Sequence, residues 1–177
     1  DLPAPSAQAW KATAELVDLA AIAARCRETG ALLLVDAYQA AGTVPMDLRA
    51  EGVDMAVGGS VKFLLGGPGV GYLYVRPGLT AALRPRLTGW MAHERPFAFE
   101  GDAQRLRPEG SWRFLGGTPH VPALYAARVG YGILRAIGVP AIRERSLALT
   151  GRLISSARER GWRVVTPLDD ARRGGSV

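Results

Sequence analysis

The 177-residue chain has a single cysteine, Cys26, so an internal disulfide is excluded, and a reducing compartment is the expected setting. Long hydrophobic runs are missing too. No stretch approaches the ~20 apolar residues of a membrane span, and no membrane association is expected. The first residues, Asp1-Leu2-Pro3-Ala4-Pro5, lack the basic-then-apolar order of a secretory leader, and a cytoplasmic location is expected. Lysine is scarce: of 22 basic residues only Lys11 and Lys62 are lysines. The net charge of +6 forms no basic patch, because the arginines are scattered and their longest run is Arg172-Arg173. A nucleic-acid partner is therefore not expected. No metal site is expected. The hydrophobic content of 48% excludes a disordered tail and suffices for one globular core.

Within that frame the pattern is layered. Residues 1–12 form a lead-in without periodicity. From Thr13, Leu16, Leu19, Ala20, Ala23 and Ala24 recur at helical spacing, and Gly30 stops the helix. Ala31-Leu32-Leu33-Leu34-Val35 is a continuous apolar run ending at Asp36, the signature of a strand buried on both faces. Asp54–Val57 and Val70–Val75 are further strand candidates. Residues 84–117 carry no period and are expected to be a long ordered loop. Helices are expected over Pro122–Ile137 and Pro140–Arg160, and a strand over Trp162–Thr166. Trp10, Trp112 and Trp162 are expected to serve in packing. The predicted fold class is α/β, a mostly parallel sheet sandwiched by helices. The expected division is 1–137 for the central part of a large domain and 138–177 for a linking helix and the start of a small α+β domain. The chain is expected to start without a first strand and to end where another strand would begin, so a fragment of a longer protein is expected.

Three features carry chemistry. Asp36 stands at the carboxyl end of a buried strand, where open α/β sheets place their ligand crevice. An aspartate at that place also serves readily as a turn or helix cap. Gly58-Gly59-Ser60-Val61-Lys62 follows the second strand. Its glycines allow close backbone approach, and a lysine in an apolar setting is suited to attack a carbonyl as the neutral amine. Gly66-Gly67-Pro68-Gly69-Val70-Gly71 lacks the ending of a P-loop and leads into a strand rather than a helix, so it is expected to be a tight bend returning the chain past Lys62.

Taken in order, Asp36-x-x-Gln39, Ser60-x-Lys62, the glycine bend and Gly71-Tyr72-Leu73-Tyr74-Val75 resemble the central segment of the pyridoxal-phosphate enzymes of the class V aminotransferase family (fold type I), which includes kynureninases and cysteine desulfurases. Gly89-Trp90-Met91-Ala92-His93-Glu94, Phe114-Leu115-Gly116-Gly117-Thr118-Pro119, Leu149-Thr150-Gly151-Arg152-Leu153 and Val165-Thr166-Pro167 are similar to kynureninase segments in the same order. The resemblance implies pyridoxal 5'-phosphate as cofactor and Lys62 as the catalytic Schiff-base residue. It implies Asp36 on the pyridinium nitrogen, Gln39 on the ring's phenolic oxygen, and Ser60, Trp90 and Thr118 around the phosphate. His93 is a candidate substrate contact.

The resemblance further implies a homodimer with shared active sites and a small-molecule amino-acid substrate. Its kynureninase-like form implies a hydrolase or a class V aminotransferase. The alternatives are a cysteine desulfurase or selenocysteine lyase, or a truncated non-catalytic piece. Three departures bear on the choice: Val61 replaces the tyrosine that kynureninases carry before the lysine, Thr118 replaces their asparagine, and Gln39 replaces their histidine. The ring-stacking residue, the backbone phosphate cradle and the carboxylate-binding arginine are expected to lie outside this chain.

Overall fold

A computed structural model describes residues 6–7, 13–100, 105–108 and 110–177. Trp10 and Lys11 lie outside the described residues. Four strands form one sheet in the order β1 (Ser6–Ala7), β2 (Leu34–Asp36), β3 (Met55–Gly59) and β4 (Gly71–Val75). β1 and β2 are parallel, as are β2 and β3, with Val35 opposite Ala56 and Asp36 opposite Val57. β4 runs antiparallel to β3, pairing Gly58 with Tyr72 and Gly59 with Gly71. The sheet is therefore parallel up to β3, and the short connection to β4 reverses the chain as a bend must.

The main core lies between the sheet and helix α1 (Leu19–Thr29). Val35, Val53 and Ala56 are inaccessible to solvent, and Leu19 and Ala23 of α1 close over them with Leu33 and Ala37. Asp18 caps α1 by accepting the Ala21 N–H at 2.9 Å, and Gly30 ends it in the left-handed region at φ 70°. Only glycine takes that conformation without steric cost. Asp54 then pins the sheet's edge: Oδ2 accepts the Leu33 N–H and Oδ1 accepts Arg76 Nε, both at 2.9 Å.

Beyond the short helix α2 (Pro77–Thr80), the described residues of the 84–117 connection include three turns of 3-10 helix, Trp90–Ala92, Pro96–Ala98 and Ser111–Phe114. Two long helices follow, α3 (Val121–Ile137) and α4 (Val139–Glu159), with Gly138 between them at φ 84°. On α3 only Ala123, Ala127, Gly130 and Leu134 are buried, a narrow stripe at three- and four-residue spacing. Among the described residues no helix is long and apolar enough to cross a membrane.

Several expectations are corrected. The first helix begins at Leu19, not Thr13, because Glu15 and Leu16 are drawn into extended pairing with the C-terminal segment: the Leu16 N–H bonds the Arg172 carbonyl, and Glu15 bridges Arg173. A first strand is present, since Ser6–Ala7 pairs with Val35 and Asp36; two residues are too few to show a period. Trp162–Thr166 is not a strand: Val165 is exposed, and the segment has no ladder partner among the described residues. Trp112 and Trp162 are not packing residues, being 54% and 68% exposed, and Trp112 instead lies beneath the Arg107 guanidinium.

Candidate functional site

The end of β2 and the end of β3 lie side by side, and the predicted residues Asp36 and Lys62 leave the sheet there. The ladder continues one step past Asp36, with the Ala37 N–H bonding the Val57 carbonyl at 2.8 Å. The chain then turns, and Asp36 Oδ1 accepts the Tyr38 N–H at 2.9 Å. The turn-capping expectation for Asp36 thus holds for one carboxylate oxygen. Tyr38 lays its ring over Gly59, the last residue of β3, so closely that a Cβ on Gly59 would fall 2.4 Å from Tyr38 Cε2. The other element of this arrangement is Lys62, whose Nζ stands 4.6 Å from the centre of the same ring. An amine and a carboxylate are therefore organised around one residue, the carboxylate by its backbone N–H and the amine by its ring.

The turn bearing Lys62 is braced on three sides. Its own hydrogen bonds run from Ser60 N–H to the Val70 carbonyl at 2.9 Å, from Gly66 N–H to the Ser60 carbonyl at 2.8 Å, and from Leu65 N–H to the Lys62 carbonyl at 3.0 Å. The turn at 37–44 abuts it, since a Cβ on Gly42 would meet the Phe63 carbonyl oxygen at 2.6 Å. Helix α3 closes the third side, where the Gly130 backbone rests on the Leu65 carbonyl and Ala127 faces Gly66. Ser60 is wholly buried, and its hydroxyl is hydrogen-bonded to the Tyr131 hydroxyl of α3. The glycine bend accordingly does return the chain past Lys62.

Two tyrosines here were not foreseen as site residues. Tyr72 places a buried hydroxyl over Gly58, within 2.3 Å of where a Cβ would be, and that hydroxyl has no partner among the described residues. Burial first, then the nearby Asp36 charge and Tyr131, push its pKa up. Tyr131 was hidden because a hydroxyl on a mostly exposed helix carries no local signal. The glycine pair Gly58-Gly59 did carry one: both positions lack a side chain because aromatic rings occupy that space.

Gln39 lies half-buried in the same turn as Tyr38. Trp90 and Thr118 belong to a second group. A Cβ on Gly89 would collide with the Gly116 carbonyl at 2.6 Å, and the Met91 N–H bonds that oxygen at 3.3 Å, so the 89–91 and 116–118 segments are held together. Trp90 packs on Phe97 and Phe99, with ring centres 5.6 and 6.1 Å away, and Thr118 is exposed. His93 accepts the Arg95 N–H at Nδ1 and turns Nε2 toward Glu100 at 3.9 Å, inside a cluster that includes Arg95 and Arg105.

The donor set suits pyridoxal 5'-phosphate. Lys62 offers an amine for an aldehyde, Asp36 an acceptor oxygen for a protonated ring nitrogen, and both converge at the carboxyl edge of the sheet.

Comparison with known proteins agrees. The aminotransferase class-V family model matches residues 12–175. An uncharacterized aminotransferase of Bacillus subtilis (strain 168) is 40% identical over 144 residues, which cover 81% of this chain and 37% of that protein. The kynureninase of Pseudomonas fluorescens is 35% identical over 171 residues, covering 93% of this chain and 40% of that enzyme. Among solved structures, the apo cysteine desulfurase from Thermococcus onnurineus NA1 superposes with a TM-score of 0.82 at 22% identity, over 96% of this chain and 41% of that one. The cysteine desulfurase CsdA of Escherichia coli gives 0.73 at 24%, over 88% and 37%. The chain spans about two fifths of the length of these relatives, and its fold is that of part of the large domain of fold type I pyridoxal-phosphate enzymes. By the family match and the shared fold, this chain belongs to the class-V aminotransferases, a family that works with pyridoxal 5'-phosphate.

Proposed function

We propose that the protein carrying this chain is a pyridoxal-phosphate-dependent enzyme acting on an amino acid, with a kynureninase-like hydrolysis or an amino transfer as the outcome. The observation that carries this reading is the joint placement of Asp36 and Lys62 around Tyr38 at the edge of the sheet. When bound, the cofactor supplies an electron sink for charge developing at the substrate's α-carbon. Lys62 would hold the cofactor through Nζ and, when not joined to it, would move a proton at the substrate's α-carbon. Asp36 keeps a proton on the ring nitrogen, its orientation fixed by the Tyr38 N–H. Gln39, from the same turn, contacts the ring's phenolic oxygen. The Ser60 hydroxyl is hydrogen-bonded to the Tyr131 hydroxyl, which fixes the turn that presents Lys62, and Ser60 is proposed to stand near the phosphate.

Trp90 and Thr118 are proposed to reach the phosphate of a second subunit in a homodimer, and His93 to stand at the rim facing substrate. A boundary near Gly138, where two helices meet at a positive φ, would separate the large domain from the start of a small one. A cytoplasmic location fits the one cysteine.

Gln39 favours desulfurase chemistry as a second reading. Cys26 lies on α1 packed against the core cluster, so it is not the nucleophile that such chemistry needs. The test is borohydride reduction of the intact protein loaded with pyridoxal phosphate, followed by peptide mapping and by assay with kynurenine, cysteine and alanine. The expected label is on Lys62. Label on Lys11 or on neither lysine would remove the assignment, and sulfide release from cysteine alone would select the second reading.

A further inference from the structure

Tyr38 touches both functional side chains, with its N–H on Asp36 Oδ1 at 2.9 Å and its ring beneath Lys62 Nζ at 4.6 Å. The ring cannot retreat toward the sheet, because Gly59 backs it with no room for even a methyl group. An ammonium group over the face of such a ring is attracted by the ring's quadrupole. We propose that Tyr38 is a positioning residue for Lys62: its ring holds the ammonium whenever that amine is not joined to the cofactor, so that the amine, after releasing its proton to solvent, is recaptured from one place. The proposal rests on the reading of Lys62 as the cofactor-holding residue.

The physical need is clear. A lysine has a flexible four-carbon stem, and an amine that is released and must return at every turnover loses rate in proportion to the time it spends elsewhere. The Asp36 carboxylate is required for the ring nitrogen and is not free to hold that amine. An aromatic face attracts the charged amine without supplying a competing carboxylate. Because the same residue's N–H orients Asp36, carboxylate and amine are both placed by one residue instead of by two independent loops.

The test uses the intact protein and four residues at position 38: Tyr, Phe, Leu and pentafluorophenylalanine. The last keeps the shape of Phe but reverses the sign of the ring face, so it remains informative even where the Leu variant fails to fold. In cofactor-free protein labelled with 13C-lysine, with Lys62→Arg used for assignment, the Lys62 ε-protons are expected upfield by the ring current. That shift should persist in Tyr38→Phe and vanish in Tyr38→Leu. Pyridoxal-phosphate capture, followed by absorbance and mapped after borohydride trapping, should be three- to tenfold slower in Tyr38→Leu and in the fluorinated variant. Tyr38→Phe should lie within twofold of the parent, and the label should stay on Lys62. Capture at the parental rate in Tyr38→Leu or in the fluorinated variant overturns the proposal, as does an equal loss in Tyr38→Phe. If the parent carries its label elsewhere, the reading of Lys62 fails, whereas the proton shift still reports whether the ring holds the amine.

Discussion

Gly59 and Tyr38 are locked together: the ring rests on the glycine's backbone, and a Cβ there would lie 2.4 Å from Cε2 and 2.7 Å from Cζ. Contacts that short do not occur, so Gly59→Ala must drive the ring away, and with it the support under Lys62. Overpacking of this kind costs about 1–3 kcal/mol. The expected outcome is a lowered melting temperature together with several-fold weaker retention of pyridoxal phosphate, read by equilibrium dialysis. A variant that melted lower yet held the cofactor as tightly as the parent would separate the ring's position from cofactor binding.

A paired substitution on α3 tests how the Lys62 turn is braced. A Cβ on Gly130 would lie 2.2 Å from the Leu65 carbonyl oxygen, a backbone atom that cannot rotate aside. Two residues on, Gly132 has nothing within 4 Å. Gly130→Ala should therefore destabilise by about 1–3 kcal/mol through overpacking. Gly132→Ala should stabilise by about 0.5–1 kcal/mol, the usual gain of alanine over glycine inside a helix. Chemical denaturation of the two variants checks the opposite signs. If both changes act alike, α3 does not rest on the turn as described.

Tyr72 makes a prediction at alkaline pH. Its ordinary pKa is near 10.0, and in the folded protein it is raised, chiefly by burial and then by the Asp36 charge. Above pH 10 the unfolded chain ionises first, so the folded state binds more protons and stability falls as pH rises. Below that pH both states hold the proton, and the contribution is constant. Tyr72→Phe removes the titrating hydroxyl. Because that hydroxyl is buried without a partner among the described residues, the variant should be no less stable than the parent at pH 8. Its stability should also fall less steeply between pH 10 and 11. Melting temperatures across that range decide the matter, and equal slopes would mean that Tyr72 is solvated.

The sequence disclosed the parts of this site that come from strand ends and glycine spacing. The apolar run into Asp36 and the Gly58-Gly59 pair put Asp36 and Lys62 at neighbouring strand ends, because a buried strand and a close backbone approach each leave a local composition. Long-range relationships left no such trace. Tyr38 stands in the middle of Asp36-Ala37-Tyr38-Gln39 and reads as a turn residue until β3 is laid beside it. The two-residue β1 and the extended pairing of Glu15 with Arg173 depend on partners far along the chain. Trp162–Thr166 shows the converse: β-branched residues next to a tryptophan read as a strand, yet β propensity forms none without a neighbour to pair with.

The last prediction concerns the 89–118 region under the proposed homodimer. Gly89 and Gly116 hold Trp90 and Thr118 close together, while Trp90 packs edge-on against Phe97 and stacks on Phe99, which are 74% and 75% exposed. Exposed aromatic patches of this kind mark interaction surfaces. If the loops serve the partner's phosphate, each site needs Lys62 from one subunit and the loop residues from the other. One intact subunit would carry Lys62→Ala, and the other Trp90→Ala with Thr118→Ala. Each parent should be inactive by itself. In the mixed dimer one site receives an intact Lys62 facing intact loops, and the other receives all three lesions. Activity should therefore return on mixing, toward half of that of the unmodified dimer, and one cofactor per dimer should be reducible onto Lys62. Heterodimers that form without regaining activity would show that the loops act on their own subunit's site.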